Sequence, residues 1–328
     1  MCKLSDIEKN IIKKWHGVGN EVLYKLCEIH PSSRKEKDYL AAQMWLIGRS
    51  YAASPERRDY GVPLIWTNSG NGLDSYFELL ADKLLSDKFK EEYNSIINLF
   101  SNSTNRYFEN DNDDKTMLTN SIKAVLKFNN LLKAVRLSVD FGEDEVSSKK
   151  VFEECLKILS NKKGKEDTKK REKINDFYVE HENNLYDAVN NNQKNMLSFC
   201  SKFLHFHFPN YVFIIDSITE SHFKGENEKY FNFGENVDNN TNKITISNKE
   251  VNGFINNSDE IKDVIDNLDF STKNKSDDPQ MKYIKHCVRE FLLATKINDS
   301  IKNDKNVKFG TYIPRVIDTY MLIANSKF

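Results

Sequence analysis

Residues 198–217 read SFCSKFLHFHFPNYVFIIDS, an apolar run that leads to one carboxylate, Asp216. Proline lacks an N–H and clashes with the preceding turn, so Pro209 predicts that a helix from about Asn183 to His205 stops nearby. A carboxylate at the end of an apolar run is held where water is scarce, and it normally has a partner or a task. The stretch therefore predicts a buried helix and a short link that carries Asp216 to a site.

Helical periodicity runs through most of the chain on both sides of this stretch. Apolar residues recur at i, i+3, i+4 and i+7 in EVLYKLCEI and YLAAQMWLIGRSYAA, and only six prolines interrupt the 328 residues. The Asn-rich and Asp-rich segment 224–279 differs, because its only strand signal is the alternating KITIS at 243–247. We predict a mainly α protein with an N-terminal helical domain (1–160) and a second domain (174–328) that contains a small β-containing insertion (224–279) and returning C-terminal helices.

The composition limits the classes of function. Lys and Arg number 48 against 49 Asp and Glu, so no global basic field exists and an anionic partner must meet a local patch. The five cysteines are scattered, which is typical of reduced thiols. No stretch resembles a signal peptide, a membrane span or a nucleotide-binding loop, so we expect a cytoplasmic protein without membrane contact or cofactor.

His205 and His207 form the one apparent metal-binding pair. Residues two apart on a helix point about 200° away from each other, so these rings do not share a metal. We therefore expect no metal site.

The layout around Asp216 resembles the helix-hairpin-helix DNA glycosylase superfamily, more specifically its 8-oxoguanine DNA glycosylase-like fold. In that family a helix after the hairpin leads through a short link to an apolar tripeptide and the catalytic aspartate, as FIID does at 213–216 here. The resemblance covers roughly residues 190–220. It implies a two-lobed helical fold in which Asp216 stabilises the positive charge that builds on the sugar as the glycosidic bond breaks.

Two departures from the family pattern bear on the expected activity. The sequence NNNQKN at 190–195 occupies the place of the glycine-containing hairpin that binds a DNA phosphate, although asparagine also tolerates left-handed backbone. Ser198 stands where bifunctional members carry a Schiff-base lysine, and Lys202 lies one helical turn away. The resemblance therefore implies a monofunctional glycosylase that flips a base out of duplex DNA. Lys202 would support Asp216 or contact a phosphate.

Other polar residues are candidates for binding the substrate DNA. The stretch MWLIGRSYAASPERRDYG at 44–61 clusters arginines around a Ser-Pro break, which suits phosphate binding. In the C-terminal part, KYIKHCVREF carries three polar residues at i, i+3 and i+6. The full set of candidate binding residues is Arg49, Ser54, Arg57, Arg58, Ser198, Ser201, Tyr283, His286, Arg289 and Arg315.

Three alternatives to catalysis by a glycosylase stay open at this point. Asp216 is also a suitable N-cap for a helix SITESHFK, and the arginines are suitable for structural ion pairs. A noncatalytic module that recognises nucleic acid or protein would use the insertion 224–279 as its partner surface. A metal-dependent nuclease would combine Asp216 with a carboxylate near KITISNKE. The heavy use of Asn, Lys and Ile suggests an AT-rich bacterial gene, and hence a role in repair or in anti-phage defence with a possible partner protein.

Overall fold

The computed structural model describes residues 23–27, 36–50, 73–101, 107–108, 113–141, 196–215, 230–232, 243–268, 275–301 and 314. This part of the chain is mainly helical, which confirms the mainly α prediction. None of the described helices is both long and apolar enough to cross a membrane.

Residues 23–27 are a short helical stretch, and a 3₁₀ turn covers Lys275–Asp277. Besides these, the described residues form eight helices and two short strands. The elements are α1 (Glu36–Ser50), α2 (Leu73–Leu84), α3 (Asp87–Ser101), α4 (Asp114–Phe141), α5 (Leu197–His207), β1 (Tyr230–Asn232), β2 (Lys243–Thr245), α6 (Asn248–Asn256), α7 (Asp259–Asp266) and α8 (Pro279–Ile301).

The chain divides into two compact units, each built from separate stretches. The first unit gathers Met1–Ile29, Asn98–Leu126 and Cys200–Phe328, and the second gathers His30–Ile97 and Lys127–Phe199. The sequence-based division assumed two contiguous domains instead. Its boundary at 160–174 lies outside the described residues.

In the second unit, α1 packs on α2 through apolar side chains at helical spacing. Met44 and Ile47 of α1 and Leu80 and Leu84 of α2 are fully buried. Such a stripe, repeating every three or four residues, is what the apolar periodicity of these stretches predicts. Packing of this stripe is the main source of stability for two helices that are short by themselves.

Buried polar groups of α4 fix the start of α5 within the second unit. The side-chain carbonyl of Asn129 accepts a hydrogen bond of 3.0 Å from the backbone N–H of Met196. Arg136 is buried as well, and its guanidinium lies 3.1 Å from the sulfur of Met196. Helix N-termini carry backbone N–H groups without intrahelical partners, so the Asn129 contact satisfies a donor next to that end.

In the first unit, α8 packs against α6 and β2, and α6 packs against α7. A capping box begins α6: the Ser247 hydroxyl accepts from the Glu250 N–H, and the Glu250 carboxylate accepts from the Ser247 N–H. Ser258 is the N-cap of α7, and its hydroxyl accepts a hydrogen bond from the Ile261 N–H. The Lys296 ammonium lies 2.6 Å from Glu250 and holds the pKa of that carboxyl below its ordinary value.

The strands β1 and β2 pair antiparallel, with Phe231 opposite Ile244. β2 coincides with the strand signal KITIS, whereas the two helices α6 and α7 were not expected in the segment 224–279. They form because serines begin both helices and Val251, Ile255, Ile261 and Val264 bury one side of the pair.

Candidate functional site

Helix α5 is the element that leads toward Asp216. Its buried residues surround the helix on every side, as expected for a segment with so few polar groups. The helix ends at His207, two residues before Pro209, as the sequence predicts. At that end the Nδ1–H of His207 donates to the Phe203 carbonyl at 2.8 Å, which satisfies a carbonyl of the last turn. The buried residues of this helix are Leu197, Phe199, Cys200, Ser201, Lys202, Phe203, Leu204, His205 and Phe206.

The next feature is a buried, non-helical stretch, Tyr211–Ile215, which we call the clamped segment. A buried main chain needs hydrogen-bond partners, and a sheet would normally supply them. Within the described residues this segment belongs to no strand. The Tyr211 and Val212 N–H groups donate to the Phe208 carbonyl, and side chains supply further bonds. The bonds join the hydroxyl of Tyr107 to the Tyr211 carbonyl (2.9 Å), Nδ1 of His205 to the Val212 carbonyl (2.7 Å), Nε2 of His286 to the Ile214 carbonyl (3.0 Å) and the Ile215 N–H to Oγ of Ser201 (3.2 Å).

One peptide plane of the clamped segment is bonded on both edges. The carbonyl of Ile214 and the N–H of Ile215 belong to the same peptide group. His286 of α8 donates to the first atom, and Ser201 of α5 accepts from the second. Because a peptide group is planar, these two bonds fix the orientation of the peptide group that joins Ile214 to Ile215.

The imidazole of His205 connects the clamped segment to the N-terminal part of the first unit. A carbonyl only accepts, so Nδ1 carries the proton toward Val212. In the neutral ring Nε2 is then an acceptor, and the hydroxyl of Tyr24 donates to it at 2.8 Å. His205 is thus engaged at both nitrogens. Among the described residues no three His, Cys, Asp or Glu side chains lie close enough to hold a metal ion.

Helix α8 contributes a row of buried titratable side chains: Tyr283, His286, Cys287 and Glu290. Their spacing of i, i+3, i+4 and i+7 places them on one face of the helix. Nε2 of His286 lies 3.1 Å from a carboxylate oxygen of Glu290. Burial raises the pKa of the Tyr283 hydroxyl and of the Cys287 thiol well above their ordinary values. Burial also raises the pKa of the Tyr107 hydroxyl.

This row corrects the expected arrangement of α8. The sequence grouped Tyr283 and His286 with Arg289, whereas the buried face continues through Cys287 and Glu290. Arg289 is only partly buried, and its guanidinium donates to the side chain of Asn248. Removal from water lowers the pKa of Arg289. Glu290 was not among the candidate residues predicted from the sequence, because a single glutamate in a helix normally lies on the solvent-exposed face.

Burial also bears on the residues predicted to bind DNA. Ser201, Tyr283 and His286 are at most 2% exposed, so none of them can reach a bound DNA without first leaving the core. Two of these three bond to the clamped segment. Ser198 is partly exposed, and Lys202, at 4% exposure, is buried.

The remaining predicted site residues lie outside what the structure describes. For Arg49 the backbone belongs to α1, but its side chain is not described. The other residues outside the described part of the chain are Ser54, Arg57, Arg58, Asp216 and Arg315.

Tyr24, Tyr107 and Glu290 are the residues of this arrangement that the sequence reading missed. Tyr24 lies in an apolar helical stretch, where a tyrosine is normally a core residue, and Tyr107 lies in a turn within a polar stretch, so neither gave a separate signal. Comparison of the chain with protein-family models, with curated proteins and with solved structures finds no match.

Proposed function

We propose that this protein is a monofunctional DNA glycosylase-like enzyme of the helix-hairpin-helix type, with Asp216 as its catalytic carboxylate. The observation that carries the proposal is the clamped segment, which holds the main chain through Ile215 by hydrogen bonds from several elements. A catalytic group must be placed within a fraction of an ångström of its productive position. A buried, side-chain-bonded link that ends at a carboxylate suits that demand.

The chemistry needs few groups. As the bond between base and sugar breaks, positive charge develops on the sugar, and the Asp216 carboxylate stabilises it. Water then adds to the sugar carbon and the base leaves with a proton, so a free base and an abasic site are the products. The base must first be flipped out of the duplex, because its bond to the sugar is inaccessible in the stack.

Lys202 is buried and lies 14 residues before Asp216 in the sequence. A buried ammonium is costly unless it is paired, so the proposed role of Lys202 is to pair with the Asp216 carboxylate.

Binding to DNA would rely on local arginines, since the formal net charge of the chain is −1. The candidates whose side chains are exposed in part, or lie outside the described residues, are Arg49, Ser54, Arg57, Arg58, Ser198, Arg289 and Arg315. Affinity would then fall steeply with salt, because each neutralised phosphate releases counterions. A cytoplasmic enzyme that removes a modified base in repair or anti-phage defence is the context of this proposal.

The proposal is tested by incubating the purified chain with bacterial and phage DNAs that differ in base modification. Released bases are identified by mass spectrometry, and abasic sites are counted by alkali cleavage. We expect one class of base to be released, with strand breaks only after alkali treatment. Strand breaks without alkali, abolished by EDTA, would instead indicate the metal-dependent nuclease.

A noncatalytic recognition module is the second candidate function, and the surface of α7 favours it. The buried side of this helix is apolar, while Asp259, Glu260, Asp263 and Asp266 are exposed, and Lys262 and Lys123 pair with Asp259 and Asp263. An acidic helix repels DNA and suits a basic protein partner, such as another component of a defence system. Protein that binds DNA in the same assay and releases no base would support this candidate.

A further inference from the structure

We infer that His286 and Glu290 are positioning residues, which orient the peptide group between Ile214 and Ile215 and through it the proposed catalytic carboxylate of Asp216. This inference rests on the proposed function for its catalytic part. Its structural part rests on the contacts of one imidazole, which lies 3.0 Å from the Ile214 carbonyl and 3.1 Å from the Glu290 carboxylate. His286 had been predicted to bind DNA, and its burial assigns it a different task.

The direction of the hydrogen bonds follows from the partners. A carbonyl oxygen only accepts, so Nε2 of His286 carries the proton and donates it to Ile214, while a carboxylate oxygen of Glu290 lies 3.1 Å from the same nitrogen. Glu290 lies one turn further along α8, so it orients the ring from the same helix. The ring in turn orients the Ile214 carbonyl, while Ser201 binds the N–H on the other edge of the peptide group.

A histidine can bond within its own helix, as the partly exposed His207 does with the Phe203 carbonyl four residues before it. His286 instead bonds to a carbonyl 72 residues away in sequence. It thereby joins α8 to the last described residues before Asp216. The contact of His286 with a distant main chain, supported by a buried carboxylate, is what distinguishes a positioning residue from a packed one.

The test uses His286→Leu, which removes the donor, and His286→Gln, whose side-chain amide can place an N–H near the position of Nε2. Amide hydrogen exchange at Ile215 reports the orientation of the peptide group without any substrate. Exchange should be about tenfold faster in His286→Leu and near the wild-type rate in His286→Gln. His207→Leu is the matched control, and Ile215 should exchange in it as in the wild type.

Single-turnover base release and DNA affinity supply the catalytic readout. We expect His286→Leu to lower the release rate about 100-fold with unchanged affinity, and His286→Gln and Glu290→Gln to retain more of the rate. Equal losses in the Leu and Gln variants, or wild-type exchange and release in His286→Leu, would overturn the inference. If even the wild type releases no base, the proposed enzyme activity fails, and the exchange rates alone decide whether His286 positions the segment.

Discussion

The bond between Ser201 and the clamped segment predicts a definite loss of stability in Ser201→Ala. The serine is fully buried, and its Oγ accepts the Ile215 N–H at 3.2 Å. Removing the hydroxyl leaves a buried N–H without that partner, which costs about 1–3 kcal/mol. Alanine has a higher helix propensity than serine, which stabilises the helix by about 0.5 kcal/mol. The free energy of unfolding should therefore fall by about 0.5–2.5 kcal/mol.

Ser121→Ala is the matched control, with the same substitution at a fully buried position of a helix in the same unit. In the part of the chain that the structure describes, Oγ of Ser121 has no hydrogen-bond partner. Replacing this serine by alanine removes the cost of burying a hydroxyl without a hydrogen bond. The free energy of unfolding should therefore stay unchanged or rise by up to about 1.5 kcal/mol. Urea unfolding followed by circular dichroism measures the stability of both variants. The two are comparable if the slope of the unfolding free energy against urea concentration is unchanged. Equal stabilities of the two variants would refute the reasoning.

Two further predictions concern pH and a helix cap. Burial raises the pKa of Tyr107, Tyr283 and Cys287 in the folded protein, so their ordinary values of 10.0, 10.0 and 9.0 apply only after unfolding. The stability that these protonated groups contribute is therefore complete below about pH 9 and is lost as the pH rises further, because the unfolded chain then releases protons first. Urea midpoints measured from pH 7 to 11 should show this decline, and Tyr283→Phe should show a shallower one; identical slopes would contradict the assignment. Ser247→Ala removes the capping box of α6 and should cost about 1 kcal/mol in urea unfolding. Asn252→Ala, at an exposed position of the same helix, should cost nothing, and equal losses would exclude the cap as the cause.

The helices were predictable where apolar periodicity was strong and a breaker followed. The stretch at 39–53 predicted α1, and Pro209 predicted the end of α5. The helices α6 and α7 were missed because their surfaces are rich in Asn, Asp and Lys, a composition that resembles a loop. The signal was present in SNKE at 247–250, where serine and glutamate at three residues' separation form the capping box.

The clamped segment was predictable only in part. The apolar run indicated a buried link, and its burial is confirmed. Three of its side-chain partners, Tyr107, His205 and His286, are far apart along the chain, so no local pattern identifies the set. The choice between the two faces of α8 likewise depended on which side meets the core, and periodicity alone does not reveal that.

The most direct test of the central claim is base release by the Asp216→Asn variant, measured on a DNA that the wild type processes. Asparagine keeps the size of the side chain and removes its charge. Asp266→Asn is the matched control, since Asp266 is an exposed aspartate of α7. The account predicts that Asp216→Asn releases the base about 100 to 1000 times more slowly with unchanged DNA affinity, while Asp266→Asn equals the wild type. Release by Asp216→Asn at the wild-type rate would contradict the account.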